Sequence, residues 1–231
     1  MKLVLRWSAR TLLLFIAVVV IYQFWLFGNV VWWVRFNPST SAFMDTRLAV
    51  LQEKNPEAEL RHKWVPYERI SIHLKRALIA AEDARFLDHD GFDWEAIQKA
   101  YEKNVRRGKV VAGGSTISQQ LAKNLFLSGR RTPWRKGQEA LITIMIETVM
   151  SKRRIFEIYL NIIEWGDGVF GAEAAARHYF RTSATYLDAE QAARLAAMVP
   201  KPRYYDRVRY TPMLERRTSI ILEHMRYVQV P

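Results

Sequence analysis

From Thr11 to Val34 the chain runs 24 residues without a charged side chain, rich in Leu, Val, Ile, Phe and Trp. As a helix rising ~1.5 Å per residue, that run spans ~36 Å, more than the ~30 Å hydrocarbon thickness of a bilayer. It is too long for a signal-peptide core, and no Ala-x-Ala-like cleavage site follows it. Lys2, Arg6 and Arg10 precede it with no acidic residue, which places the N-terminus in the cytoplasm. Trp25, Trp32 and Trp33 lie toward the far end, where an aromatic interface belt is expected. A buried core helix is the other reading of such a run; the flanking charges favour a single-pass anchor. The expected division is 1–36 as cytoplasmic tip and transmembrane anchor, and 37–231 as an extracytoplasmic domain.

After a short linker from Asn37 to Ala42, the apolar spacing becomes helical. Leu74 to Phe86 is predicted as a helix rich in Ala, Leu and Ile. Asp93 caps a second, running to Arg107 with Trp94, Ile97, Ala100 and Tyr101 on one face and Gly108 as its stop. A third begins at Thr116, with Gln119 three residues on, as a capping box requires. Pro133 opens a long helical stretch to about Ile163, bent near Ser151. Gly166, Gly168 and Gly171 read as a flexible turn, and Ala172 to Phe180 returns to helix. Asp188 caps a short helix ending before Pro200 and Pro202. Thr211 and Pro212 open the last, apolar at Leu214, Ile221, Leu222 and Met225. No run alternates as a strand would, so the fold class is mainly α.

Charge narrows the partners. The chain carries 35 Lys and Arg against 23 Asp and Glu, a net +12. Lys2, Arg6, Arg10 and Arg35 lie around the anchor, leaving the domain with 31 basic and 23 acidic residues, a net +8. Such a surplus draws polyanions: nucleic acid, anionic headgroups or a pyrophosphate. An anchor that carries the domain across the membrane excludes nucleic acid. Cysteine is absent, which rules out disulfides and thiolate metal sites.

Three clusters carry candidate chemistry. Glu82 and Asp83 end an apolar helix, followed by Phe86, His89 and Gly91. A carboxylate beside apolar residues and a helix C-terminus is harder to ionise, which makes it a better base. His89 alone has no partners at metal-ligand spacing. The second cluster is the Gly113–Gly114–Ser115–Thr116 helix start with Gln119, Gln120, Lys123 and Asn124 beyond it. A helix start freed by glycines presents N–H groups and a positive dipole end to an anion. The third is Arg130, Arg131, Arg135, Lys136 and Glu139, with Arg135 and Lys136 on the same helix face as Glu139. Guanidinium and ammonium groups together suit a pyrophosphate on which charge develops as it leaves. Lys152, Arg153 and Arg154 read as solvated or facing headgroups.

These residues carry a family resemblance. Glu-Asp-x-x-Phe-x-x-His-x-Gly (82–91), Gly-Gly-Ser-Thr-Ile-x-Gln-Gln-x-x-Lys-Asn (113–124) and Arg-Lys-x-x-Glu (135–139), in that order, resemble the peptidoglycan glycosyltransferases. These enzymes occur alone or as a module of bifunctional penicillin-binding proteins. Arg-Arg-Ile-Phe-Glu-Ile-Tyr-Leu-Asn (153–161) looks like their fourth motif, and Ala-Ala-Arg-Leu-Ala-Ala-Met-Val-Pro-x-Pro (192–202) like their fifth.

The resemblance implies a lysozyme-like helical domain of two lobes, the smaller dipping into the membrane. It implies polymerisation of lipid II into β-1,4 glycan strands, with undecaprenyl pyrophosphate leaving. Glu82 matches the catalytic base and Glu139 the second essential glutamate. Lys123 and Arg131 match the residues that hold the donor pyrophosphate. Ser115, Gln119 and Gln120 would line the donor site, and Asp83, Phe86, Thr116, Asn124, Arg135 and Lys136 belong to the same substrate-binding motifs. A Mg²⁺ or Mn²⁺ ion would aid the leaving group, with no ligand assigned and no organic cofactor expected. Lipid II, a lipid-linked glycan strand, the membrane and cell-wall or division-machinery proteins are the expected partners. Ser118 stands where Thr is common, and Gly137 is unusual inside a helix. No Ser-x-x-Lys occurs, so a monofunctional, inner-membrane enzyme with a periplasmic domain is expected. Two rivals remain: a lysozyme-like hydrolase or lytic transglycosylase using Glu82 as acid, which would shorten glycan, and a non-enzymatic scaffold indifferent to Glu82.

Overall fold

The computed structural model describes residues 2–109, 111, 113–127 and 132–231. They form two compact units, divided between Asn37 and Pro38. The first is α1 (Lys2–Trp33), within which Arg6–Trp33 has the length and mean hydropathy, 2.2, of a membrane span.

The second unit is mainly helical, in keeping with the lysozyme-like fold the motifs imply. Its elements in order are α2 (Ala42–Gln52), β1 (Arg61–His62), α3 (Ile72–Glu82), α4 (Trp94–Arg107), α5 (Ile117–Phe126), α6 (Pro133–Val149), α7 (Lys152–Ile162), β2 (Glu164–Gly166), β3 (Val169–Phe170), α8 (Ala172–Phe180), α9 (Ala189–Met198), α10 (Pro202–Arg207) and α11 (Pro212–His224). The caps fall where side-chain chemistry puts them. Asp93 accepts from the Ala96 N–H at 2.9 Å, and Gly108 ends α4 at φ 60°. Asp188 and Gln191 form a capping box on α9, and Thr211 accepts from the Leu214 N–H at the start of α11.

Two helical groups result. In one, the alanine-rich face of α9 (Ala192, Ala193, Ala196, Ala197) packs against α3 and α11, burying Leu74, Leu78 and Ile79 of α3 with Leu214 and Ile221 of α11. In the other, Ile117, Leu121 and Leu125 of α5 pack with Ile142 and Ile146 of α6 and Phe156 and Tyr159 of α7. Apolar burial of this kind contributes about 1.5–3 kcal/mol per large side chain.

Four sequence expectations need correction. The helix expected to reach Phe86 stops at Glu82, because the Asp83 side chain leaves the helix to bond elsewhere. The stretch from Pro133 is two helices rather than one bent helix, since Ser151 caps a new start by accepting from the Arg154 N–H. The glycine-rich segment does turn, at 167–168, but the turn joins two strands, which β1 completes into a small sheet of order β1–β3–β2, with β1 parallel and β2 antiparallel to β3. Strands of two or three residues are too short to show alternation. Finally, α4 buries none of its residues, and Trp94, Tyr101 and Val105 are exposed.

Asn161 ties the sheet to the second helical group. Its side chain is fully buried, accepts from the Val65 N–H at 2.9 Å and donates to the Val65 and Glu157 carbonyls at 3.0 and 2.9 Å. Replacing Asn161 by Ala orphans both main-chain groups of Val65, at about 1–3 kcal/mol each. Urea denaturation should show a clear fall in midpoint; an unchanged midpoint would place this joint outside the cooperative core.

Candidate active site

Glu82 is the last residue of α3 and Asp83 is its C-cap. Both Asp83 oxygens are occupied: Oδ1 accepts from His89 Nε2 at 2.9 Å, and Oδ2 from the Ile117 N–H at 2.9 Å. Asp83 thus closes α3 and caps α5 in one step. His89 Nδ1 accepts from the Gly91 N–H, which leaves Nε2 to donate to Asp83. The Gly91 carbonyl takes the Thr116 hydroxyl at 2.6 Å.

The capping box at the start of α5 is as the sequence predicts. Thr116 Oγ1 accepts from the Gln119 N–H, and Gln119 Oε1 from the Thr116 N–H, at 3.2 and 3.0 Å. A Cβ on Gly114 would meet the Ile97 Cα at 2.8 Å, so α4 backbone packs directly against this turn.

One turn into α5, Gln120 reaches Glu82. Its Nε2 donates to Glu82 Oε2 at 3.0 Å, while its Oε1 accepts from the buried Tyr159 hydroxyl at 3.0 Å. Glu82 Oε1 takes a second donor, Arg217 Nη2 of α11, at 3.1 Å. Burial raises the Glu82 pKa, against the opposing pull of the Gln120 hydrogen bond and the Arg217 and Lys123 charges.

Two clefts meet at this helix start. One, of about 520 Å³, is lined by Ser115, Gln119, Gln120, Lys123, Asn124, Arg135, Lys136 and Glu139, closed by Phe43, Glu164 and Arg203. The other, of about 330 Å³, is lined by Glu82, Asp83, Asp93, Glu95, Lys99 and Gly113 to Thr116. Ser115 borders both.

In the first cleft Glu139 is buried and held between two cations. Lys136 Nζ donates to Oε1, and Arg135 Nη1 lies 3.5 Å from Oε2. Lys123 stands nearby with its ammonium 5.5 Å from the Phe43 ring centroid. Burial lowers its pKa; Glu139 opposes this, while Arg135 and Lys136 add to it. A half-buried ammonium beside two further cations is poised for a multiply charged anion.

The sequence-predicted residues therefore divide. Ser115, Gln120, Lys123, Asn124, Arg135, Lys136 and Glu139 come together on one cleft, with Glu82 opening on its neighbour. Asp83, Thr116 and Gln119 hold the framework through their hydrogen bonds. Phe86 is a core residue, its ring 5.7 Å from that of Phe156. Arg130 and Arg131 lie outside the described residues. Lys152, read from sequence as solvated, instead donates to Glu147 Oε1 at 2.8 Å and sits over the Phe86 ring.

The sequence reading passed over Glu164, on the cationic cleft, and Arg217, which reaches Glu82 from a neighbouring cavity. Glu164 of β2 faces the cationic cleft, with Arg203 Nε 3.2 Å away, and burial pushes its pKa up to about 7. The signal for Arg217 is a cation at the edge of the core-facing stripe of α11, between Leu214 and Ile221.

Residues 48–226 match the transglycosylase family. The chain belongs to that family. It is similar to the biosynthetic peptidoglycan transglycosylase of Methylobacillus flagellatus, 68% identical over 222 residues, 96% of this chain and 97% of the relative. The protein of the same description from Nitrosospira multiformis is 66% identical over 226 residues, 98% of each chain. That of Dechloromonas aromatica is 62% identical over 231 residues, the whole of both. One of the two clefts holds a carboxylate whose pKa burial raises, and the other a cluster of cations.

Linkage gives a test of the Glu82 environment. A carboxylate whose pKa rises on folding binds more protons folded than unfolded, so stability falls as pH rises from the ordinary 4.5 through the raised value. Above that window Glu82→Gln should therefore melt at or above the wild-type temperature, and its advantage should shrink as the pH is lowered. Calorimetry across pH checks this; a variant less stable at neutral pH with a constant deficit would contradict it.

Proposed function

We propose that this protein polymerises glycan strands of peptidoglycan from lipid II. The observation that carries the reading is the pairing of a buried, hydrogen-bonded carboxylate at Glu82 with an adjoining cleft where Lys123, Arg135 and Lys136 converge. Glu82 takes the proton of the acceptor's 4-hydroxyl as that oxygen attacks the donor's anomeric carbon. The bond from that carbon to the pyrophosphate breaks, and undecaprenyl pyrophosphate leaves with the bonding pair. The α-linked donor becomes a β-1,4 product by inversion, with no covalent intermediate.

The leaving pyrophosphate gains charge as the bond breaks, and Lys123, Arg135 and Lys136 meet it there. Arg131 is assigned to the same task from its motif. Glu139 keeps Arg135 and Lys136 aimed into the cleft rather than apart. Ser115, Gln120 and Asn124 line the donor side. The hydrolase reading gives no use for this cationic cleft.

Among the described residues no group of three His, Cys, Asp or Glu side chains could hold a metal ion, and the Glu139 carboxylate already has two cations. The residues present do not fit a resident Mg²⁺ or Mn²⁺, and no step here is routed through one.

Localisation follows the same reading. Arg6–Trp33 anchors the chain in the inner membrane with the N-terminus cytoplasmic and the catalytic domain periplasmic. Exposed Trp94, Tyr101, Val105, Trp134 and Ile144 suit a domain that leans on a lipid surface, where its lipid-linked substrates lie. Cell-wall or division proteins would then meet it at that membrane.

Purified full-length protein incubated with labelled lipid II should give glycan ladders that vanish with muramidase. Glu82→Gln should lower kcat by about 10²–10⁴-fold, the usual worth of a general base, with its fold intact. Lys123→Ala should weaken donor engagement. Shortening of added glycan in place of growth would turn the assignment to the hydrolase, and an active Glu82→Gln would remove the base.

A further inference from the structure

Glu82 Oε1 receives Arg217 Nη2 at 3.1 Å across 135 positions of sequence, from a helix outside all five motifs. Leu214, Arg217 and Ile221 stand at i, i+3 and i+7 on α11, which packs against α3. Leu214, Ile221 and the neighbouring Thr218 are buried, and Arg217 lies at the edge of that stripe with its side chain 37% exposed. It lies along a cavity of about 550 Å³ whose opposite wall includes Ala80 and Ala81 of α3. Those small side chains leave the guanidinium a path to the last residue of α3.

Arg217 Nε is buried with no hydrogen-bond partner among the described residues, a cost that an apolar side chain at this position would avoid. Its fork meets one carboxylate oxygen, and Gln120 meets the other. A carboxylate has about four acceptor positions, so two donors fix its plane and leave lone pairs for a third.

We propose that Arg217 is the positioning residue of the catalytic base, clamping one oxygen of Glu82 so that its open lone pair faces the acceptor hydroxyl. The proposal rests on the reading of Glu82 as that base. Among the described residues, the charged and titratable groups acting on Glu82 are Asp83 beside it, Lys123 on α5, Tyr159 on α7 and Arg217 on α11, while Arg85, Asp93, Glu95 and Lys99 line the same cleft farther out. Asp83 is held by His89 and Ile117. Lys123 lines the cationic cleft, and a donor pyrophosphate there competes for its charge. Arg217 is then the cation that the donor does not take, and it keeps Glu82 ionised in the complex that reacts.

The test uses full-length protein in detergent with lipid II, comparing wild type, Arg217→Met, Arg217→Lys and Glu82→Gln. Arg217→Met should lower kcat on the order of ten- to a hundredfold with KM little changed, the scale of a misplaced catalytic group. The acid limb of its pH–rate profile should move to higher pH, because a cation that lowers the base's pKa has gone. Arg217→Lys should restore part of both, and the melting temperature shows that the fold persists. If the Met variant melts below the assay temperature, Arg217→Gln replaces it with the same readouts. An acid limb at the wild-type pH, whatever the rate, would overturn the role of Arg217. That failure is distinguishable from failure of the base itself: only the latter leaves Glu82→Gln active.

Discussion

The hydrogen bond from the Ile117 N–H to Asp83 Oδ2 joins the end of α3 to the start of α5, and the site's geometry follows from it. Asp83 is the residue after Glu82, so fixing its carboxylate fixes the peptide that carries Glu82. Ile117 is the first residue of α5, so the same bond sets where that helix starts and which face it turns. Counting on from Ile117 in steps of three, the helix brings Gln120 to Glu82 and Lys123 to the cationic cleft. The other Asp83 oxygen draws in His89, whose carbonyl takes the Lys152 ammonium. One short carboxylate thus organises the loop from 83 to 91, the helix start and, through Lys152, the start of α7.

Around that joint the two glutamates sit in opposite surroundings. Glu82 is buried against apolar α3 and meets one neutral donor and one cation, so burial dominates and its pKa rises. Glu139 is more deeply buried, and two cations from its own helix lie against it. A buried carboxylate with two cationic partners anchors and aims those cations. Pairs of carboxylates in contrasting settings are how a site separates a proton-accepting task from an electrostatic one.

How much of this was legible follows from the range of each interaction. The α5 capping box and the caps at Asp93, Asp188 and Thr211 are local, with partners within three residues, and the sequence shows them directly. The shared face of Arg135, Lys136 and Glu139 is likewise a matter of helical spacing. The sheet was not legible, because two- and three-residue strands carry no period and β1 pairs with β3 from more than a hundred residues away. Asp83 and Lys152 were misjudged for the same reason: each looks like a polar helix end until its distant partner is known. Motif residues read together as substrate-binding divide once Asp83, Thr116 and Gln119 are seen bonded to backbone. That distinction depends on tertiary contacts and has no local signature.

Arg217 is the extreme case, since the only trace it leaves is a charge at the edge of the buried stripe of an amphipathic helix. Yet Glu82 depends on both helical groups of the domain. It sits on α3, is gripped by Gln120 of α5 from the second group, and meets Arg217 of α11 from the first. These three helices are not consecutive, so the position and ionisation of Glu82 report how the two groups pack. A small shift of α11 against α3 would lengthen a 3.1 Å contact and raise the pKa of a carboxylate that burial already disfavours. The ionisation of Glu82 is thereby coupled to the fit of the helices, which gives a physical reason for a charged residue at the edge of the buried stripe of α11.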